Sequence, residues 1–156
     1  MPAPIVDLEA LPRLLAPHAR ILGLDLGEKT IGLALSDTRR TIASPLETLK
    51  RGKFRADAER LLAIAKLHEV GALVIGLPRN MDGSEGPRAQ ATRAFVKNLA
   101  PLTTLAIAFW DERLSTAAVT RTLIAANASR KRRAALVDKM AAAYILQGAL
   151  DRLGYG

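Results

Sequence analysis

The first part of the chain alternates short apolar runs with turn residues, which predicts β-strands. Residues 20–27 (RILGLDLG) are almost continuously apolar and end at a glycine, as expected of a buried strand. Residues 28–37 (EKTIGLALSD) follow a tight turn and predict a second strand that forms a hairpin with the first. A third strand is predicted over residues 41–49 (TIASPLETL), where Pro45 favours a sheet edge or a bulge.

Beyond residue 50 the apolar positions recur at helical spacing, and predicted helices alternate with predicted strands. Helices are expected over residues 54–71, 85–100, 115–127 and 136–154, with Gly71 ending the first and Ser115 as the N-cap of the third. Strands are expected over 72–78 and 102–110, and a basic connection over 128–135. This order favours an α/β fold, a mixed five-stranded sheet flanked by helices, with parallel pairing across the crossovers.

The length of 156 residues and the hydrophobic content of 49% suit a single compact domain. We assign this domain to residues 20–156 and expect residues 1–19 to form a loosely attached N-terminal extension. The extension lacks the positive start of a signal peptide. No apolar run approaches the roughly 20 residues of a membrane span, so a cytoplasmic protein is expected.

The composition excludes several classes of site. The absence of cysteine excludes disulfides, thiolate metal sites and cysteine nucleophiles. The only two histidines, His18 and His68, lie in unrelated contexts and argue against a zinc site or a Ser-His-Asp triad. A net charge of +8 favours a polyanionic partner, nucleic acid before an acidic membrane. Since aromatic residues are only 4% of the chain, recognition by shape and backbone is favoured over base stacking.

Acidic residues occupy unexpected places in the predicted strands. Asp25 lies within a buried strand, where an ionised carboxylate is costly. Taken alone, it is better explained by a bond to a backbone amide or to Lys29. Asp111 and Glu112 follow the last predicted strand, and adjacent strand residues face opposite sides. Only one of the two is therefore expected to share a site with Asp25, while the other pairs with Arg113 or caps the next helix.

A further acid, Asp138, lies in the last predicted helix. Ala141, Ala142 and Ile145 follow it at helical spacing and share its face. This small, apolar face is expected to pack on the sheet and to carry Asp138 inward. A favourable interaction with the helix dipole explains Asp138 equally well when it is taken alone.

Together, three such carboxylates form an oxygen-only ligand set of the kind that binds Mg²⁺ or Mn²⁺. Without a cation the clustered carboxylates would repel one another. In a basic protein, this set indicates phosphodiester chemistry, because two ions about 3.5–4 Å apart can activate a water and stabilise the leaving oxygen.

Four segments resemble, in order and spacing, the motifs of the YqgF/RuvX family, whose members are described as Holliday junction resolvases or pre-16S rRNA nucleases. The segments read GLDLGEKTIGLALSD, GLPRNMDGSEG, DERLST and DKMAAAYILQGAL. The resemblance extends over nearly the whole chain, from Arg20 to Leu153. The family is similar to the RuvC resolvases. The resemblance therefore implies a ribonuclease H-like fold, metal-dependent nuclease activity and a role in maturing the 5′ end of 16S rRNA.

The resemblance also implies roles for individual residues. Asp25, Glu112 and Asp138 match the family's catalytic, metal-binding acids, and Asp111, which precedes Glu112 in the motif, is expected to assist. Hydrolysis in similar enzymes leaves a 3′-hydroxyl and a 5′-phosphate. The family's turn often reads Lys-Arg before the Ile-Gly pair, but here it reads Lys29-Thr30, so one phosphate contact is expected to be absent.

Basic and turn residues near these acids are expected to hold the substrate. Residues 76–88 join a strand to a helix, and a helix N-terminus with arginines nearby suits a phosphate, although an ordinary turn with a helix cap is the alternative. The basic run before Asp138 is expected to contact the phosphate backbone, whereas residues 49–55 (LKRGKFR) fit substrate contact and a solvated face equally well. The candidate substrate-binding residues are Lys29, Arg79, Asn80, Arg88, Arg113, Arg130, Lys131, Arg132 and Arg133.

The predicted function is a metal-dependent endonuclease for pre-16S rRNA, with Mg²⁺ or Mn²⁺ as cofactor and the ribosomal small-subunit precursor as a partner. Holliday junction resolution uses the same chemistry and is the first alternative. It favours a homodimer, whereas rRNA trimming is compatible with a monomer. A non-catalytic ribosome assembly factor that binds nucleic acid is a further alternative. A nucleotide phosphohydrolase of the actin/hexokinase type is disfavoured, because the chain has a single D-x-G phosphate element.

Overall fold

The computed structural model describes residues 3–114 and 130–155, and the side chains of these residues except 130–139. The strands within these ranges are β1 (Arg20–Leu26), β2 (Thr30–Ser36), β3 (Ala43–Lys50), β4 (Val70–Leu77) and β5 (Ala106–Asp111). The α-helices are α1 (Leu11–Leu14), α2 (Phe54–Leu67), α3 (Pro87–Leu99) and α4 (Arg130–Arg152). The predicted helix at 115–127 lies outside the described residues.

The strands form one mixed sheet in the order β3-β2-β1-β4-β5. β1, β2 and β3 pair antiparallel, as the predicted hairpin requires. The turn between β1 and β2 is closed by the Gly27 N–H, which donates to the Thr30 carbonyl at 2.9 Å. Pro45 lies in the edge strand β3, where the register shifts opposite Leu33 and Ala34, so both the predicted edge and the predicted bulge are confirmed.

The other half of the sheet is parallel. β1 pairs with β4, and β4 pairs with β5, as predicted from the strand–helix–strand crossovers. The carboxyl ends of these three strands therefore meet at one margin of the sheet, which we call the carboxyl edge. The β1–β2 turn and the N-termini of α2 and α3 lie at the same edge, because each crossover helix returns antiparallel to the strands.

Alternation along the strands divides the core into two layers. Leu22, Leu24 and Ile75 belong to one cluster of buried side chains, with residues of α2 and α3. Ile21 and Val74 belong to the other cluster, which includes residues of α4. We call these two sides of the sheet the α2–α3 face and the α4 face. Odd-numbered residues of β1 and even-numbered residues of β4 and β5 thus lie on the α4 face.

Three predicted boundaries are wrong by more than two residues. The strand β5 begins at Ala106 and not at residue 102, because Ala100–Leu102 form a 3₁₀ turn. The helix α2 ends at Leu67 and not at Gly71, because Glu69 already takes the left-handed conformation, with a φ of 56°. Gly71 instead lies in β4, where a Cβ would come within 2.9 Å of the Ala19 Cβ. The last helix includes Arg130 and the basic residues that follow, which were predicted to form a connection.

The N-terminal segment packs more closely than predicted. Leu11 is fully buried and Leu8 is 6% exposed, and both lie in the core of the α4 face. Val6 donates its N–H to the Ile107 carbonyl at 2.9 Å, beside a bridge between Ile5 and Ile107. The expectation of loose attachment is therefore wrong for this segment. No helix in the described ranges is both long and apolar enough to cross a membrane.

Candidate functional site

Asp25 lies near the carboxyl end of β1, on the α4 face and half-buried. Its partner across the antiparallel ladder is Gly32, which carries no side chain beyond hydrogen. One position earlier on the parallel side, Leu24 is in register with Ile75 of β4. Gly76 is therefore the β4 residue nearest to Asp25 along that side of the ladder.

Glu112 follows β5 directly, in a 3₁₀ turn over Glu112–Leu114, and is only 7% exposed. Its carboxyl carbon is 3.4 Å from the position that a Cβ on Gly76 would occupy. The glycine thus leaves the space above the end of β4 to the Glu112 carboxylate. Since Gly76 neighbours Asp25, both carboxylates lie on the α4 face at the carboxyl edge.

Asp111 lies on the opposite face from Glu112, as the alternation predicts. It accepts hydrogen bonds from the Arg113 side chain at 2.7 Å and from the Arg113 backbone N–H at 3.0 Å. The pairing of one acid with Arg113 is thereby confirmed. Hydrogen bonding to Arg113 holds the pKa of the Asp111 carboxyl below its ordinary value, against the opposing effect of burial. The catalytic role predicted for Asp111 stays a prediction.

The loop between β4 and α3 is closed by its own polar groups. The Asn80 backbone N–H donates to the Ser84 carbonyl at 2.9 Å, and its side chain donates to the Ser84 hydroxyl at 3.0 Å. Asp82 accepts from the Ser84 N–H at 2.9 Å, and Gly83 takes a φ of 90°. The predicted turn is confirmed. The predicted cap is not, because the N-cap of α3 is Gly86, without a side-chain hydrogen bond.

Arginines fasten this loop to the segment that carries Glu112. Arg79 lies between two acids, 3.5 Å from Glu85 and 3.6 Å from Asp111. Arg113 contacts Asp111 and also donates to the Met81 carbonyl at 3.3 Å. Arg79 and Arg113, two of the predicted substrate-binding residues, therefore already have acidic partners. Their contact with substrate stays a prediction.

The other predicted substrate residues differ in their surroundings. The side chains of Lys29, Asn80 and Arg88 are exposed at the carboxyl edge, so they are accessible to a ligand. The predicted basic run consists of Arg130, Lys131, Arg132 and Arg133. The side chains of these residues are not among those that the structure describes.

The helix α4 packs on the sheet as predicted. Ala141, Ala142 and Ile145 are fully buried. A Cβ on Gly23 of β1 would lie only 2.7 Å from the Leu146 Cβ, so the glycine allows the helix to approach closely. Asp138 precedes Ile145 by two helical turns. Its side chain lies outside the described residues, and its place in the site stays a prediction.

Metal binding depends on this third acid. Among the described side chains, no group of three or more histidine, cysteine, aspartate or glutamate residues is placed to hold a metal ion. Asp25 and Glu112 nevertheless supply carboxylate oxygens on one face of the sheet, and oxygen is the ligand that Mg²⁺ and Mn²⁺ prefer. The residues present fit a divalent cation that takes a further ligand from outside this pair.

Arg51 is not among the predicted site residues, yet it supports the site. Its side chain donates to the Gly27 carbonyl at 2.6 Å, and its backbone N–H donates to the Lys29 carbonyl at 2.8 Å. Its guanidinium group also lies over the Phe95 ring, 5.6 Å from the ring centre. Arg51 thus holds the turn that follows Asp25. The sequence gives no signal for this, because the arginine is one of several cations in residues 49–55.

Comparison with known proteins gives a consistent result. A family model described as "RuvX: Holliday junction resolvase" matches residues 19–152. A protein of Beijerinckia indica named "Putative pre-16S rRNA nuclease" is 63% identical over 155 residues, which cover 99% of this chain and 94% of that protein. A protein of the same name from Methylocella silvestris is 61% identical over 98% of this chain and 95% of its own length.

Solved structures with the same fold are more distant in sequence. The Thermus thermophilus RuvC in complex with Holliday junction substrate aligns with a TM-score of 0.54 and 13% identity, over 88% of this chain and 97% of that one. The yeast mitochondrial Holliday junction resolvase Ydc2 aligns with a TM-score of 0.52 and 10% identity, over 95% and 85%. The predicted ribonuclease H-like fold is thereby confirmed.

Proposed function

Since the chain belongs to the RuvX family, a family of nucleases, we propose that it is a metal-dependent endonuclease that matures the 5′ end of pre-16S rRNA. The observation that carries this proposal is the position of Asp25 and Glu112 on one face of the carboxyl edge. Two carboxylates there suit phosphodiester hydrolysis with a divalent cation better than any other chemistry open to this chain. Its lack of cysteine leaves oxygen ligands as the natural choice.

Asp25, Glu112 and Asp138 are the residues that would hold Mg²⁺ or Mn²⁺. A divalent cation supplies Lewis-acid stabilisation of the charge that develops on the phosphoryl oxygens. The burial of Glu112 withdraws its carboxylate from competing water, which strengthens its attraction for a cation. Arg51 keeps the turn after Asp25 in place, so the first carboxylate is positioned before substrate arrives.

Pre-16S rRNA is the preferred substrate, because both relatives described above are named pre-16S rRNA nucleases. The similarity covers almost the full length of each relative. Holliday junction DNA is the second candidate, because the family description names it. The carboxylates suit either backbone. The rRNA function implies a cytoplasmic protein that meets the precursor of the small ribosomal subunit, and it is compatible with a monomer, whereas the junction function favours a homodimer. The division into an extension, 1–19, and a domain, 20–156, is part of the same proposal.

Cleavage of two labelled substrates tests this function. A transcript of the pre-16S rRNA 5′ leader and a four-way DNA junction are each incubated with the wild type and with Asp25→Asn, in Mg²⁺, Mn²⁺ or EDTA. We expect metal-dependent cutting of the leader that is lost in the variant. Cutting of the junction alone would select the second candidate. Binding of both substrates without cutting, equal in the two proteins, would leave a non-catalytic assembly factor.

A further inference from the structure

We propose that an exposed basic surface on the β3 side of the site binds the phosphate backbone of the nucleic acid that enters it. This β3–α2 basic surface consists of Lys29, Lys50, Lys53 and Arg55. The inference rests on the proposed function, because the nucleic acid that this surface binds is the substrate of the nuclease. It assigns a role to residues 49–55, which the sequence pattern alone leaves open.

The strand register brings this surface to the edge that carries the acids. Lys50 is the last residue of β3 and is in register with Thr30, the first residue of β2. Lys29 precedes Thr30 in the turn that begins directly after β1, and β1 carries Asp25. Lys53 and Arg55 lie at the start of α2, three and five residues beyond Lys50. A backbone that crosses the two carboxylates can therefore continue over these cations.

The surface is firmly joined to the strand of Asp25. Arg51, between Lys50 and Lys53, donates to the Gly27 carbonyl at 2.6 Å and is half-buried. The Arg51 guanidinium group therefore binds within the protein and not to a ligand, and it attaches the β3–α2 basic surface to the turn after β1. The four surface cations keep a fixed relation to the site, which a flexible basic tail would not provide.

The charges of these four residues are available to a ligand. All four side chains are exposed, and within the described side chains none of them is in an ion pair. The contrast with the β5 side is clear, where Arg79 and Arg113 both contact Asp111.

The acids near the surface do not neutralise it. Asp57 is 1% exposed and is used internally, since it accepts from the Gly52 N–H at 3.0 Å and pairs with Arg60 at 2.9 Å. Glu28, beside Lys29, Glu47, three residues before Lys50 in β3, and Glu59, within α2, are exposed acids close by. Four exposed cations against these three acids still leave an excess of positive charge, as a phosphate backbone requires.

Local stability does not account for the cations at the start of α2. Lys53 is the N-cap residue and makes no side-chain capping bond, and Arg55 lies in the first turn. The N-terminus of a helix carries partial positive charge, so cations there are unfavourable for the helix itself. Binding of a negatively charged ligand explains why cations occupy these two positions, whereas stability of the helix does not.

The test compares two triple variants that each remove two lysines and one arginine. The surface variant combines Lys50→Gln, Lys53→Gln and Arg55→Gln. The control variant combines Arg13→Gln, Lys66→Gln and Lys97→Gln, three exposed cations of α1 and of the last turns of α2 and α3, away from the carboxyl edge. Both variants lower the net charge equally, so a general loss of attraction affects them alike.

Binding of the labelled rRNA leader is measured by fluorescence anisotropy in EDTA, at KCl concentrations from about 50 to 200 mM. We expect the slope of log Kd against log salt to fall by about three in the surface variant, one for each lost phosphate contact, and to stay near the wild-type value in the control. The thermal midpoint of the surface variant should equal or exceed that of the wild type. The four-way junction is measured in parallel, to learn whether duplex DNA is bound by the same residues.

Equal slopes in the two variants would overturn the inference, even if the wild type cleaves the leader in Mg²⁺. A reduced slope in the surface variant, together with a wild type that cleaves neither substrate, would uphold the basic surface and reject the nuclease. The two proposals therefore fail on different measurements.

Discussion

At the residue scale, the site depends on a glycine as much as on its acids. Glu112 is a carboxylate buried at the end of a sheet, and its carboxyl carbon comes within 3.4 Å of where a Gly76 Cβ would lie. The same Cβ would be 2.5 Å from the Cδ1 atom of Ile145 on α4. A glycine at position 76 thus makes room for both the acid and the helix.

Gly76→Ala should therefore damage both folding and cleavage. Ile145 is fully buried and has little space to withdraw, so we expect the free energy of unfolding to fall by about 1–3 kcal/mol. The matched control is Gly52→Ala, where the nearest atom is 3.9 Å away. Urea unfolding measures both variants. Equal stability of the two would show that Gly76 is not needed for close packing.

Asp111 gives a prediction about pH. Its hydrogen bonds with Arg113 lower its pKa in the folded protein below the value in the unfolded chain. A lowered carboxyl pKa contributes stability that is present above the unfolded pKa and is lost as the pH falls through the folded pKa.

The free energy of unfolding of the wild type should accordingly fall more steeply than that of Asp111→Asn, between about pH 5 and pH 2. Urea unfolding at a series of pH values provides the comparison. Glu59→Gln, at an exposed acid of α2 that forms no ion pair among the described residues, is the control. Parallel curves for wild type and Asp111→Asn would contradict the role given to Arg113.

At the scale of elements, the sequence predicts the strands of the sheet better than it predicts the ends of the helices. The strands β1 and β2 appear as expected, because an apolar run ended by a turn has few alternatives. The predicted end of α2 differs from the observed one because Glu69, and not a glycine, takes the left-handed conformation. Nothing in a glutamate signals that choice, which tertiary packing imposes.

The sequence of the N-terminal segment likewise does not predict how the segment packs. Its short apolar pattern is broken by prolines, so it predicts no long element, yet Leu8 and Leu11 complete the core of the α4 face. Burial of a short segment depends on a groove that only the folded sheet and α4 create. Periodicity within the segment therefore could not reveal it.

Leu11→Ala should lower the free energy of unfolding by about 2–4 kcal/mol, because the side chain is fully buried and its removal leaves a cavity. Leu14→Ala changes the same residue type in the same helix at a position that is 52% exposed, and should cost far less. Thermal or urea unfolding distinguishes the two. A small effect of Leu11→Ala would restore the view that the segment is loosely attached.

At the scale of the whole molecule, charge is divided along the carboxyl edge. The acids Asp25 and Glu112 lie at its centre. On the β5 side Arg79 and Arg113 are paired with Asp111, whereas the cations of the β3–α2 basic surface are exposed. The cations behind the net charge of +8 are therefore not equally available to a ligand on the two sides of this edge. This division favours the β3 side as the approach for a polyanion.

The central acids were predictable, and the division of charge was not. Alternation along β5 predicts that Asp111 and Glu112 face opposite sides, and the family resemblance selects Glu112 as the acid on the side of Asp25. The partners of Arg79 depend instead on how residues 79–86 fold back, and that conformation rests on Gly83 and on bonds within the loop. Sequence spacing cannot show which arginines are already engaged.

The most direct test of the central claim is the rate of leader cleavage under single-turnover conditions in Mg²⁺. We predict that Asp25→Asn and Glu112→Gln each slow cleavage by about 100-fold or more, since each removes part of a cation's hold on the phosphoryl charge. Glu59→Gln, which removes an exposed acid of α2, should cleave at the wild-type rate. Wild-type rates in either Asp25→Asn or Glu112→Gln would contradict a shared metal site at the carboxyl edge.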